Sequence, residues 1–252
     1  MPASATVLAA IAAVLQPVPS INYSLPGQTT PAPLAIPPNA EILPFQEANV
    51  ASRPSAAARH YLLARSPRIP ARGLAFTIRC LLDRTNGRVV FCTDPSVPEA
   101  YRAAAMGLAS LYQFRLTLAQ MTTQGPLAVT IQDRIAAADV RPAARLFTFT
   151  TRPPAAVSFA QGLTMELSQA YYPRGALAAN LDARVRIDCQ VQPDLSLFCL
   201  NPTGDAGPFL AEFQLIALQL SGWLRAAPTL ANGAPAAGTI FRTTIIFHVP
   251  TE

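Results

Sequence analysis

Ala183-Arg184-Val185-Arg186-Ile187-Asp188-Cys189-Gln190-Val191-Gln192-Pro193-Asp194-Leu195-Ser196-Leu197-Phe198-Cys199-Leu200 is the stretch on which the reading of this chain turns. Val185, Ile187, Cys189 and Val191 alternate with Arg184, Arg186, Asp188, Gln190 and Gln192, the pattern of a strand with one buried face. After Pro193-Asp194 the alternation resumes as Leu195, Leu197 and Cys199, so the two runs predict a hairpin turning at Asp194. Residues opposite one another in an antiparallel pair have position numbers with a constant sum, which sets Cys189 against Cys199.

The same logic appears earlier in the chain. Leu74, Phe76, Ile78, Cys80 and Leu82 alternate with Ala75, Thr77, Arg79 and Leu81; Asp83-Arg84-Thr85-Asn86-Gly87 supplies a turn; Arg88-Val89-Val90-Phe91-Cys92 returns. A turn centred on Asn86 sets Cys80 against Cys92, and the four cysteines of the chain are then used. Opposed strand residues have Cα atoms about 4.5–5.5 Å apart, within reach of a disulfide. The expectation is two cross-strand bridges, Cys80–Cys92 and Cys189–Cys199, each worth about 3 kcal/mol on the chain-entropy account, and an oxidising compartment. The alternative is four buried thiols in a reducing one. No C-x-x-C spacing occurs, and His60 and His248 lie far from the cysteines in sequence, so no metal site is expected.

Each hairpin is followed by a helix and a further strand. Ser96-Val97-Pro98-Glu99 reads as a capping box opening a helix with Tyr101, Ala104, Ala105, Leu108, Leu111 and Tyr112 inward. Gln124-Gly125-Pro126 turns into a strand over 127–135. In the second copy Gly207-Pro208 opens a helix with Phe209, Phe213, Ile216, Ala217 and Leu220 inward and Gly222 at its end, and Asn232-Gly233-Ala234-Pro235 turns into a long strand over 239–249. The predicted class is α+β: two tandem small domains, each a β-hairpin, an amphipathic helix and a third antiparallel strand. The only tryptophan, Trp223, is expected in the core.

Outside the repeats the chain is less informative. Residues 1–22 hold an apolar run too short to span a bilayer but of signal-peptide length, without a basic flank, since no Arg precedes Arg53. Residues 23–58 are proline-rich and predict an extended spacer. Repeat one is assigned to 59–140, a connector with a short strand over 146–150 to 141–165, and repeat two to 166–252, with an extended lead-in over 169–173 and a helical turn near 175–180. All of the basic residues are arginines and they are scattered, giving a net charge of +5 without the clusters a nucleic-acid partner would require. No catalytic motif or paired acid and base occurs, so neither an enzyme nor a cofactor is expected.

Gln169, Tyr172 and Pro173 before the hairpin, Trp223 and Pro228 after the helix, and Asn232, Gly233 and Pro235 ahead of the last strand together resemble the C-terminal domain of TonB, the energy transducer of Gram-negative bacteria. Ala170 stands where that family has proline. Repeat one looks like a diverged copy, with Ser66-Pro67-Arg68-Ile69-Pro70 as lead-in, Phe114 in the place of Trp223, and Gly125-Pro126 as the turn. The resemblance implies a periplasmic module that binds the N-terminal peptide of an outer-membrane TonB-dependent receptor by strand addition. It also implies contact with inner-membrane motor proteins where an anchor precedes the spacer. The residues it points to are Gln169, Tyr172, Pro173, Phe241, Thr243 and Ile245. The competing expectation is a periplasmic structural or adaptor protein that keeps the fold without energy coupling.

Overall fold

The computed structural model describes residues 35–140 and 157–249; the signal-like stretch, the first part of the spacer and the strand expected over 146–150 lie outside them. Both hairpins form. β3 (Leu74–Leu82) pairs with β4 (Val89–Cys92), and β8 (Ala183–Val191) with β9 (Leu197–Asp205), with Cys80 opposite Cys92 and Cys189 opposite Cys199. Both pairs are disulfide-bonded, each with Cα atoms 4.0 Å apart. Leu195 does not belong to the second strand: it has φ 64° and closes the turn, its N–H donating to the carbonyl of Gln192 at 2.9 Å. Its place in the alternating pattern is coincidental. In the first turn Gly87 has φ 69°, and a Cβ there would fall 1.9 Å from the carbonyl oxygen of Phe114, so glycine is required for backbone approach as well as for handedness.

The two copies share one topology. α2 (Glu99–Ser110) and α6 (Leu210–Ser221) cross back over their hairpins, and the following strands, β6 (Leu127–Ile135) and β11 (Ile240–Phe247), each return antiparallel to the first strand of the hairpin. The duplication also reaches further back than repeat one was expected to begin. β2 (Val50–Ser52) and β7 (Phe159–Gln161) precede α1 (Ala56–Leu63) and α4 (Met165–Ala170), and the starts of β2/β7, α1/α4 and β3/β8 are all 109 positions apart (159 − 50, 165 − 56, 183 − 74). β2 and β7 pair in turn with β5 (Gln113–Phe114) and β10 (Arg225–Ala226), the short strands just after each long helix.

This register corrects several expectations. The counterpart of Gln169-Ala170-Tyr171-Tyr172 is His60-Tyr61-Leu62-Leu63 at the end of α1, and Ser66–Pro70 matches the region of α5 (Arg174–Ala178) instead. The lead-in of repeat two is helical through Ala170, with Pro173 capping α5, where an extended segment was expected. Trp223 is the second residue past α6, as Tyr112 is past α2, so Phe114 is not its counterpart; Trp223 is half-buried, outside the core. Ser96 makes no helix cap. Its Oγ accepts from the Thr77 N–H at 3.0 Å and holds the end of β4 against β3.

Residues 35–58, assigned to the spacer, are folded. β1 (Glu41–Leu43) adds to repeat one's sheet, and β2 and the start of α1 follow it. Prolines are few enough in this part for Leu43, Val50, Ala57 and Ala58 to be buried, and apolar burial outweighs the local extended preference.

The described residues of both repeats lie within one compact unit, and each repeat has its own core, around Phe76, Ile78, Leu108 and Ile131 in the first and Ile187, Phe213, Leu220 and Phe247 in the second. α1 joins them. Its N-cap, Ser55, donates through Oγ to the carbonyl of Leu218 at 2.8 Å, and the Ser55 N–H donates to Gln219 Oε1 at 2.7 Å. Gln219 Nε2 donates in turn to the Arg53 carbonyl at 2.9 Å and to Ser52 Oγ at 3.2 Å. Gln219 is 1% exposed, so Gln219→Ala strands the part-buried Ser55 N–H and takes one of two donors from the Arg53 carbonyl. The expected loss is about 2 kcal/mol, read as a lower urea midpoint. Arg88 lies over the Tyr171 ring, 4.6 Å from its centroid, and Arg174 pairs with Asp83, adding two further ties between the repeats.

Candidate functional site

β11 is an edge strand. In the three-stranded sheet β11-β8-β9 it pairs with β8 over its whole length, and among the described residues no strand pairs with its other side. Which main-chain groups face outward follows from the ladder. The Val191 N–H donates to the Thr239 carbonyl at 3.0 Å, and hydrogen-bonding direction alternates along a strand. Phe241, Thr243, Ile245 and Phe247 therefore bond to β8, and Ile240, Arg242, Thr244 and Ile246 direct N–H and C=O away from the sheet.

The structure places the six residues singled out from the sequence in different settings. Tyr172 is 4% exposed, its hydroxyl donates to the Leu181 carbonyl at 2.6 Å, and its ring stands edge-on to Phe213 and Phe247. Burial, with the Asp182 charge as a lesser cause, raises its pKa. Pro173 is buried at the N-terminus of α5, and Gln169 is exposed on α4. Phe241 and Ile245 face the core at 4% and 5% exposure, Thr243 is half-buried between them, and all three spend their backbone groups on β8. The strand expected over 239–249 forms as Ile240–Phe247, and which of its backbone groups face outward is not legible in the sequence, because side-chain alternation reports the buried face and says nothing of which backbone groups the neighbour takes.

The outward residues also present their side chains to the exposed face of the sheet. Arg242 is held across the strands by Asp188, Nε to Oδ1 at 2.7 Å, and this hydrogen bond, then the carboxylate's charge, raises the guanidinium pKa. Thr244 is exposed and Ile246 is 47% exposed. At the strand's end Asp182 accepts from the Val249 N–H at 2.7 Å and contacts His248 Nδ1 at 3.0 Å; these bonds, in that order, lower its pKa and fasten the terminus of β11 beside the start of β8.

Repeat one shows what the equivalent edge can hold. Cys80 opposes Val129 as Cys189 opposes Phe241, so Leu127–Val129 corresponds to Thr239–Phe241. On the outer side of Leu127–Val129 lies β1, parallel, with the Glu41 N–H donating to the Pro126 carbonyl at 3.0 Å. Leu43 fills the core beneath and Glu41 pairs with Arg84 at 2.7 Å. The third strand of this topology thus accepts an added parallel strand in one of its two copies.

Other concavities are small. A cavity of about 230 Å³ between Ser52, Ser55, Gln219 and Trp223 lies at the junction of the repeats, and one of about 220 Å³ lies between the first hairpin turn and Phe114 and Met121. Among the described residues no cluster of His, Cys, Asp or Glu could hold a metal ion, and no helix is long and apolar enough to cross a membrane. The two disulfides fit an oxidising, extracytoplasmic compartment. Comparison with known proteins finds no matching family model, no similar curated protein and no similar solved structure.

Proposed function

We propose that this chain is a protein-binding module whose β11 edge takes up an extended peptide by strand addition, and that the peptide is the N-terminal segment of an outer-membrane TonB-dependent receptor. The observation that carries the strand-addition reading is β1 seated on the matching edge of repeat one. The choice of guest rests on the resemblance of residues 169–249 to the TonB C-terminal domain, and the periplasm is the compartment that guest requires. Phe241, Thr243 and Ile245 support the site from beneath, as core side chains and β8 partners; the contacts to the guest come from Ile240, Arg242, Thr244 and Ile246. Binding is main-chain in character, with specificity left to side chains at alternate guest positions.

Titration of the isotopically labelled protein with synthetic receptor N-terminal peptides is the direct test. Amide signals of Ile240, Arg242, Thr244 and Ile246 are expected to shift. Thr244→Pro removes an outward N–H while sparing the β8 ladder, and proline is tolerated at edge positions. It should weaken binding about tenfold or more and leave the unfolding midpoint nearly unchanged. Thr243→Pro, which removes a ladder bond, should destabilise the sheet. Unaltered binding by Thr244→Pro would refute the edge as the site.

A further inference from the structure

β1 is a short occupant on a long edge. Only Glu41–Leu43 pair with Leu127–Val129, and β6 continues to Ile135. Within the three residues Leu43 is buried and Glu41 and Ile42 are exposed. Besides the ladder bonds of the three paired positions, β1 is held by the Glu41 N–H to Pro126 and the Glu41 carboxylate to Arg84, whose guanidinium is itself fixed by the carbonyls of Gly125, at 2.7 Å, and Gln120. By the parity established above, Ala128, Thr130, Gln132 and Arg134 direct their main chain to this side. The Arg134 carbonyl accepts from Arg59 Nη1 at 3.1 Å, so the stretch available to a guest runs from Pro126 to Gln132. A three-residue parallel pairing is at the lower limit of strand length and is the weaker kind of ladder. A guest spanning that stretch would make more main-chain bonds than β1 does.

We propose that the outer edge of β6 is a second strand-acceptor site, which the chain keeps filled with its own Glu41–Leu43, and that an extended peptide reaches it by displacing that strand. The inference rests on the strand-acceptor reading of the fold and assigns repeat one a latent share in it. The guest is an extended peptide running parallel to β6, with an apolar residue in the place of Leu43 and an acidic one in the place of Glu41, opposite Arg84. Displacement leaves α1 docked on α6, because the contacts of Ser55 with Leu218 and Gln219 are made after β1 and do not involve it.

The test uses the full chain carrying Thr244→Pro, so that β11 is closed, with and without Leu43→Asp, and a synthetic peptide of residues 39–46. Leu43→Asp puts a charge where a buried leucine anchors β1 and should release that strand. The peptide should then shift the amide signals of Ala128 and Thr130, and bind the Leu43→Asp chain about tenfold or more tighter than the chain with Leu43, in which a tethered strand competes at an effective concentration on the order of millimolar. Glu41→Ala, which removes the tie of β1 to Arg84, leaves Arg84 free for the peptide's own Glu41 and touches no buried side chain, should act in the same direction more weakly, and it decides the matter should Leu43→Asp fail to fold. Equal affinity for released and unreleased chains, or no shift at Ala128 and Thr130 in a folded variant, overturns the proposal. In the Leu43→Asp chain without Thr244→Pro, receptor peptides shifting only Thr244 and Ile246 would also overturn it while leaving the β11 site standing; shifts confined to Ala128 and Thr130 would do the reverse.

Discussion

Tyr172→Ala should unfold repeat two at markedly lower denaturant, with a loss of about 3–5 kcal/mol, the range for removing a large aromatic from a core. The side chain is 4% exposed and stands edge-on to Phe213, 5.4 Å between ring centroids, and to Phe247 at 6.2 Å. Its hydroxyl also satisfies the Leu181 carbonyl. Tyr172→Phe keeps the packing and loses that bond, at a cost of about 1 kcal/mol. Urea unfolding of both variants alongside peptide titration separates the two roles Tyr172 could have. A ligand contact would weaken binding and leave the midpoint in place; a core residue moves the midpoint and leaves binding by the folded fraction intact. The geometry supports the second outcome.

Replacing Cys189 and Cys199 together with alanine should cost about 3 kcal/mol, because the bridge closes a short loop and so removes conformations from the unfolded chain. The two are separated by 10 positions and both sulfurs are fully buried. Alanine is preferable to serine here, since a buried hydroxyl would add its own penalty. The Cys80–Cys92 bridge, separated by 12, should contribute a similar amount. Reduction of the native protein should lower its thermal midpoint, and mass mapping of unreduced peptides should recover Cys80 with Cys92 and Cys189 with Cys199. Linkage between the repeats would contradict the hairpin registers.

A large part of the architecture can be read without coordinates. Alternation over 184–192 and 74–82 reports a half-buried strand because side chains of successive residues point to opposite faces, and the constant sum of opposed positions then pairs the cysteines. The buried stripe of α2 and the end of α6 at Gly222 follow from helical periodicity in the same way. Signals of this kind are local: each depends on residues a few positions apart, and the hairpins keep their partners within one turn.

What sequence alone could not yield was set by contacts between distant segments. Residues 41–43 carry no strand pattern long enough to notice, and they become a strand because β6 offers them unpaired carbonyls and a core pocket for Leu43. His60 to Leu63 match Gln169 to Tyr172 in position and share almost no residue types, so the true register of the repeats emerges from the equal spacing of folded elements. Gln219 reads as an interruption of an apolar helix face, and its meaning lies in three partners at Ser52, Arg53 and Ser55. The chain by itself determined two stapled hairpins with a helix and a returning strand each. Tertiary structure decided which backbone edge each returning strand keeps and which it leaves to another segment, because hydrogen-bond parity depends on the neighbour present and not on the side chains that a sequence displays.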